Sequence, residues 1–220
     1  TIAMALFMIG YTTTTSFGLY YFKYAYGDEN MYSIFALVLG VSQIAALAVF
    51  PIFSRRFDRK KLYAGATVFV VVGYVLFFLS PADMKYIGVA GVLIFLGEAF
   101  IQLLMLMFLA DTIEYGQWKL GRRNDSITLS LQPFINKMGG AVASGIVGAT
   151  VIISGISTAV SKEDVTAQGL LILKLSMLGI PLLCILAGYL IYRLKYRIDE
   201  EMYNRIISDL KERGDISLED

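Results

Sequence analysis

Six long apolar blocks constrain this chain more than anything else in it. They fall at residues 2–22, 32–53, 62–79, 86–110, 126–156 and 169–192. A bilayer core of roughly 30 Å takes about 20 mostly apolar residues to cross as a helix, so each block suits one crossing. Together they leave no room for a soluble domain of ordinary size. A water-soluble all-α bundle would carry polar stripes every third or fourth position, and the stretch 64–79 has none. The hydrophobic share of 57% against 17% charged fits, because the apolar residues are grouped rather than alternating. The chain is therefore expected to be an all-α, polytopic membrane protein. Residues 1–192 would form a six-helix transmembrane bundle, and 193–220 an amphipathic tail.

Basic residues give the blocks a direction. Arg55, Arg56, Arg59, Lys60 and Lys61 follow the second block, Lys119, Arg122 and Arg123 the fourth, and Arg193, Lys195 and Arg197 the sixth. The opposite connections carry one lysine each, Lys23, Lys85 and Lys162. Lys and Arg in excess mark the cytoplasmic side, so both termini are expected there. A net charge of +1 gives no reason for a nucleic-acid partner. With no histidine in the chain, histidine-based catalysis and metal binding are excluded. Cys184, alone in an apolar block, reads as a packed thiol, and no disulfide can form within the chain. The first block has no basic region before it and is too rich in Thr and Tyr for a signal peptide. A start at Thr1 rather than Met is expected of a piece of something longer.

Polar residues and breakers inside the blocks locate special places. The first block runs Tyr11, Thr12, Thr13, Thr14, Thr15, Ser16 and closes on Tyr20, Tyr21, Phe22, Lys23, Tyr24. Hydroxyls in a membrane helix can bond their own backbone, but five in succession cover every face and suggest the wall of a polar cavity. Pro51 and Pro81 stand near helix ends, where they terminate. Pro133 and Pro181 fall inside spans, where each frees a backbone carbonyl that must find water or a neighbour. Gly140, Ser144 and Gly148 share the four-residue spacing of close helix contact, as a static seam or a sliding surface. Past the sixth block, Ile198, Met202, Ile206 and Leu210 recur at i+4 in a charged background, an amphipathic helix that caps the bundle or lies at the lipid surface. Residues 215–220 read as disordered.

Two charges sit where a bilayer should exclude them. Glu98 lies about 12 residues into the fourth span, roughly 18 Å from its outer end, and Lys137 about 11 residues into the fifth, roughly 17 Å from its inner end. Both are near the midplane, where a lysine costs on the order of 3 kcal/mol on insertion scales. One reading is that they neutralise one another across adjacent helices. The other is that they mark a substrate or ion path, since a static pair is a poor stability device. Ser130, Gln132 and Asn136 precede Lys137, and polar groups at that depth suit a solute that presents hydroxyls. Between these spans the stretch 111–125 holds Asp111, Glu114, Trp118, Arg122, Arg123 and Asp125. Trp118 suits a membrane interface. Asp111, Glu114, Arg122 and Arg123 are candidates for ion pairs that close one side and reopen during turnover. The turn holding Asp58 and Arg59 is a second candidate lock between helix ends.

The run Asp-Thr-Ile-Glu-Tyr-Gly-Gln-Trp-Lys from Asp111, with Ser130-Leu131-Gln132-Pro133 and Lys137-Met138-Gly139-Gly140, resembles the glycoside–pentoside–hexuronide:cation symporters of the major facilitator superfamily. The Tyr-Tyr-Phe-Lys-Tyr close of the first block and the Tyr-Arg-Leu-Lys-Tyr-Arg-Ile-Asp-Glu-Glu-Met-Tyr tail are also similar to that family's C-terminal half. The resemblance covers the whole chain. It implies one half of a twelve-helix fold, with sugar bound between two six-helix halves near the midplane. It further implies that Lys137 and Gln132 lie near the sugar and that Asp111 and Glu114 serve gating or coupling. Gln102 stands where the melibiose branch has an aromatic sugar platform, so stacking is not carried over. The expected sugar-facing set is Lys137, Gln132, Asn136, Glu98, Gln102 and Tyr20, and the expected coupling and gating set is Asp111, Glu114, Arg122, Arg123, Asp58 and Arg59.

The same resemblance implies a coupling cation, Na+ or H+, held mainly in an N-terminal half outside this sequence, and no other cofactor or metal. The implied location is a bacterial inner membrane, with lipid, the N-terminal half and a galactoside-type glycoside as partners. A membrane enzyme is disfavoured because rhomboid-type and metalloprotease chemistry both need histidine. A channel is disfavoured because no ring of like charge or filter sequence is visible. A non-transporting sugar sensor or scaffold with the same fold is the remaining alternative.

Overall fold

The computed structural model describes residues 1–196, 198 and 200–215, with position 200 as backbone only. Among them, six helices are long and apolar enough to cross a membrane. The first is α1 (Ile2–Tyr20), prolonged by a π-helical turn at Tyr21–Tyr26. Then come α2 (Met31–Ser54), α3 (Arg59–Leu79), α4 (Met84–Leu120) and α5 (Asp125–Ile153). The sixth span is broken into α6 (Ala167–Lys174), a π-helical turn at Leu175–Gly179, and α7 (Ile180–Lys195). A short α8 (Glu200–Glu212) follows. Pro51 stands within the last turn of α2, rather than ending that helix as expected.

Local chemistry sets the boundaries. Asp58 and Asp83 cap α3 and α4 by accepting the backbone N–H of Lys60 at 3.2 Å and Lys85 at 2.9 Å. Gly121, at φ 67°, ends α4 by donating its N–H to the Gln117 carbonyl at 2.9 Å. That end is a correction: the fourth block was expected to end at residue 110, yet helix continues to Leu120 and only 121–124 connect it to α5. Hydropathy marks where a helix leaves lipid, not where it stops, and nothing in 111–120 breaks a helix.

The interior is organised about α4, which packs between α2 and α3, while α1 packs between α5 and α7. A Cβ on Gly73 would lie 2.9 Å from the Ile94 backbone nitrogen, and one on Gly97 2.8 Å from the Ala66 carbonyl oxygen. The two glycines therefore let α3 and α4 touch backbone to backbone. On α5 the glycine packed against a neighbour is Gly139, against Met8 of α1, whereas Gly140 and Gly148 border open space and Ser144 is exposed. The small-residue row read from the sequence thus faces away from this bundle. Apolar side chains such as Leu37, Val41 and Ile44 of α2 and Leu183, Leu190 and Leu194 of α7 are also exposed, as lipid-facing positions require.

At the end of the bundle away from the basic turns, Lys162 donates to the Tyr26 carbonyl at 3.1 Å and Tyr24 to the Ala159 carbonyl at 3.2 Å. At the basic end α8 lies against α4, burying Ile206 and Leu210, two of the four residues that the i+4 pattern singled out. Asp215, expected to be disordered, accepts from Gln117 Nε2 through its backbone carbonyl at 3.2 Å. Residues 216–220 lie outside the described residues.

Candidate functional site

The residues expected to face sugar separate into two environments. Gln132 and Asn136 stand one turn apart on α5, half-exposed, with Lys137 exposed beside them. Gln102 of α4 and Tyr20 of α1 are half-exposed as well. Among the described residues none of these five side chains makes a hydrogen bond or ion pair. Their polar groups are unspent among the described residues.

Glu98 does not join them. It is 1% exposed and sits inside the bundle, on the α4 face turned to α3 and α1. The Tyr74 hydroxyl of α3 is within hydrogen-bond distance of its Oε1, at 3.0 Å, and its Oε2 is buried without a partner among the described residues. Tyr74 in turn meets the Thr14 hydroxyl of α1 at 2.5 Å. Thr14 lies 3.3 Å from the Gly10 carbonyl and 3.4 Å from the Met177 carbonyl in the π turn of the sixth span. The expected sugar ligand is therefore an interior group, and it does not pair with Lys137.

The threonine run of α1 behaves as two sets. Thr12 and Thr15 bond back to the carbonyls of Met8 at 2.6 Å and Tyr11 at 3.1 Å, while Thr13 and Thr14 are buried. Tyr11 accepts from Gln43 Nε2 of α2 at 2.9 Å.

The basic end carries the other expected set. Asp111, 4% exposed on α4, receives Arg59 of α3 through both carboxylate oxygens, and Tyr196 donates to its Oδ2 at 2.9 Å. The Arg59 guanidinium lies over the Tyr203 ring of α8 at 4.9 Å. Together with Asp58 and Tyr192 these residues line a cavity of 180 Å³. Burial pushes the Tyr196 hydroxyl far above its ordinary range, and the charge of Asp111 adds to it. Burial, with the neighbouring Glu114 carboxylate, pushes Tyr203 up to about 12. Trp118 donates to Asp209 of α8 at 2.8 Å and accepts Arg213 through its carbonyl at 3.1 Å.

Three expectations change here. Asp111 pairs across to α3 rather than with Arg122 or Arg123. Arg123 instead pairs with Asp125 at 2.8 Å, with both partners substantially exposed, and Arg122 is exposed. Asp58 is a helix cap, so Arg59 alone supplies the ion pair of that turn. The sequence reading missed Tyr74 because a tyrosine in an apolar run counts as apolar. The available signal was a glycine beside each partner, Gly73 before Tyr74 and Gly97 before Glu98.

A bundle of six membrane-length helices, with an ion pair at one end, is the framework of a multi-pass membrane protein. Residues 2–200 match the family model described as MFS/sugar transport protein, and the chain belongs to that family. It is 32% identical over 210 residues to the raffinose carrier protein of Pediococcus pentosaceus, covering 96% of this chain and 33% of that protein. Identity to the lactose permease of Lactobacillus delbrueckii subsp. bulgaricus is 28%, covering 92% of this chain and 32% of the permease. To the isoprimeverose transporter of Lactiplantibacillus pentosus it is 24%, covering 94% and 43%. The chain spans about a third of the length of the first two relatives.

Proposed function

We propose that this chain is the second six-helix half of a twelve-helix carrier that moves a glycoside, of galactoside type, together with Na+ or H+ by alternating access. The observation that carries the reading is Lys137, a lysine on a membrane-spanning helix with no hydrogen-bond or ion-pair partner among the described residues, beside Gln132 and Asn136. A lone amine at that depth is costly unless water or a solute reaches it. Amide and ammonium donors in that row match the hydroxyls of a sugar. The names of the relatives support the substrate class, because raffinose and lactose both contain a galactosyl unit.

In this reading the N-terminal half supplies the opposite wall, and Gln102 and Tyr20 border the sugar. The basic turns and α8 face the cytoplasm of a bacterial inner membrane, as the positive-inside rule requires. The Arg59–Asp111 pair, with Tyr196, Tyr203 and Glu114, holds α3, α4 and α8 together as a cytoplasmic gate. The protein acts as a carrier rather than an enzyme.

The test is uptake of radiolabelled galactoside into vesicles bearing the full-length carrier, with and without an ion gradient. Gradient-driven accumulation that is lost in Lys137→Ala is the expected result. Accumulation that survives Lys137→Ala removes this residue from the site. No galactoside accumulation under any gradient favours another glycoside or a non-transporting sensor of the same fold.

A further inference from the structure

Glu98 is the one midplane charge that the sugar site leaves unexplained, and its surroundings limit what it can do. Among the described residues it has no salt-bridge partner. The titratable groups around it are Tyr74 from α3 and Tyr11 from α1, and Cys184 faces Tyr74 from α7. None of these carries a positive charge, and Lys137 of α5 is exposed elsewhere. An ionised carboxylate enclosed without a cation, with one oxygen wholly unpaired, is among the costliest arrangements a protein interior can hold. A neutral acid whose second oxygen lacks a partner costs far less.

Counting hydrogens sharpens the point. Tyr74 and Thr14 each have one hydroxyl hydrogen. If Glu98 is ionised, Tyr74 must donate to Glu98 and Thr14 to Tyr74, so nothing remains for the carbonyls beyond. If Glu98 carries a proton, it donates to Tyr74, Tyr74 donates to Thr14, and Thr14 is free to donate to the Met177 carbonyl. Pro181, four positions on, offers that carbonyl no N–H, and Thr14 is the side-chain donor within reach of it. The protonated arrangement frees the Thr14 hydrogen for it, and the ionised one does not.

We propose that Glu98 is a proton-binding site of this half, and that its proton sets the direction of a single hydrogen-bond chain running Glu98–Tyr74–Thr14–Met177. The proposal rests on the symport reading above and assigns the coupling ion as H+, with a binding group in this half as well as any in the other. One proton is taken from water and later returned. In between, only the orientation of three hydroxyl-type donors changes. Because the chain joins α4, α3, α1 and the π turn, taking up a proton fastens the sixth span against α1, the helix that also carries Tyr20, and losing it releases that span.

The experiment uses the full-length carrier in proteoliposomes and two readouts. In infrared difference spectra against pH, wild type should show the carbonyl band of a buried carboxylic acid. That band should be lost in Glu98→Gln and shifted in Tyr74→Phe, which keeps the acid but removes its partner. In transport, proton-driven accumulation should be lost in Glu98→Gln, and sugar exchange should no longer respond to pH. Accumulation in Glu98→Gln matching wild type, coupling to sodium alone, or an acid band that survives Glu98→Gln overturns the proposal. Should Glu98→Gln fail to reach the membrane, the Tyr74→Phe band decides, and an unshifted band overturns it. If wild type accumulates no sugar under any gradient, the symport reading fails, while the infrared band still decides whether Glu98 binds a proton.

Discussion

The backbone carbonyl of Met177, four positions before Pro181 and its missing N–H, lies 3.4 Å from the Thr14 hydroxyl of another span. The π turn in the sixth span is thus tied to α1 by a side chain as well as by its own backbone. Pro181→Ala supplies the missing N–H, which competes with Thr14 for that carbonyl. The variant is expected to gain about 1 kcal/mol of stability and to slow hydrogen exchange around residues 175–181. Thermal unfolding and exchange mass spectrometry of the purified full-length carrier check both. Faster exchange there would contradict the assignment.

Gly97 and Gly116 lie on the same helix and should respond oppositely to alanine. A Cβ at Gly97 runs into the α3 backbone, which cannot move aside like a side chain, so Gly97→Ala should cost about 1–3 kcal/mol. At Gly116 there is open space, and Gly116→Ala should add about 0.5–1 kcal/mol through helix propensity. Melting temperatures of the two variants, measured side by side, test the close approach of α3 and α4.

Removing one member of the Arg59–Asp111 pair strands the other. Asp111→Asn or Arg59→Gln should each cost about 2–3 kcal/mol, less than for a fully buried pair because the Arg59 side chain keeps 31% exposure. The double variant Arg59→Gln/Asp111→Asn should cost less than either single change, since no charge is then left unpaired. A double-mutant cycle on thermal stability gives the answer directly.

Trp118 is the sole tryptophan of the chain and bonds to α8, so its fluorescence reports whether that helix is docked. Tyr203 and Tyr196 both hold their protons more tightly when docked than when free. The contribution of Tyr203 is therefore complete below about pH 10, the ordinary tyrosine value, and is lost as pH rises through about 12, while that of Tyr196 persists to higher pH. Trp118 emission should be flat through neutral pH and change over that alkaline window. A change already complete at pH 8 would show that other groups hold α8.

Much of the fold was legible because lipid imposes a single coarse rule, and six apolar runs satisfy it without regard to detail. The end of α4 escaped the rule, since residues 111–120 are polar in composition yet stay helical. The site was legible where a charge stood in an apolar run, which drew attention to Glu98 and Lys137. Their separation was not, because depth along a helix says nothing about which way a side chain turns. Glu98 faces α3 while Lys137 faces outward, and only packing around Gly97 and Gly139 decides that. Tyr74 and Tyr196 stayed hidden because a tyrosine's single hydroxyl does not alter the character of its segment.

The unbroken α4 has 37 residues, about 55 Å of rod, well over the thickness of a hydrocarbon core. Glu98 and Asp111 are fixed to it thirteen positions apart, roughly 20 Å along the axis. A stiff beam cannot tilt at one point and stay still at another. Whatever levers the projecting end of α4 at Asp111 also swings Glu98 against Tyr74, so the proposed lock at the membrane surface and the proposed proton site at its centre share one mechanical member.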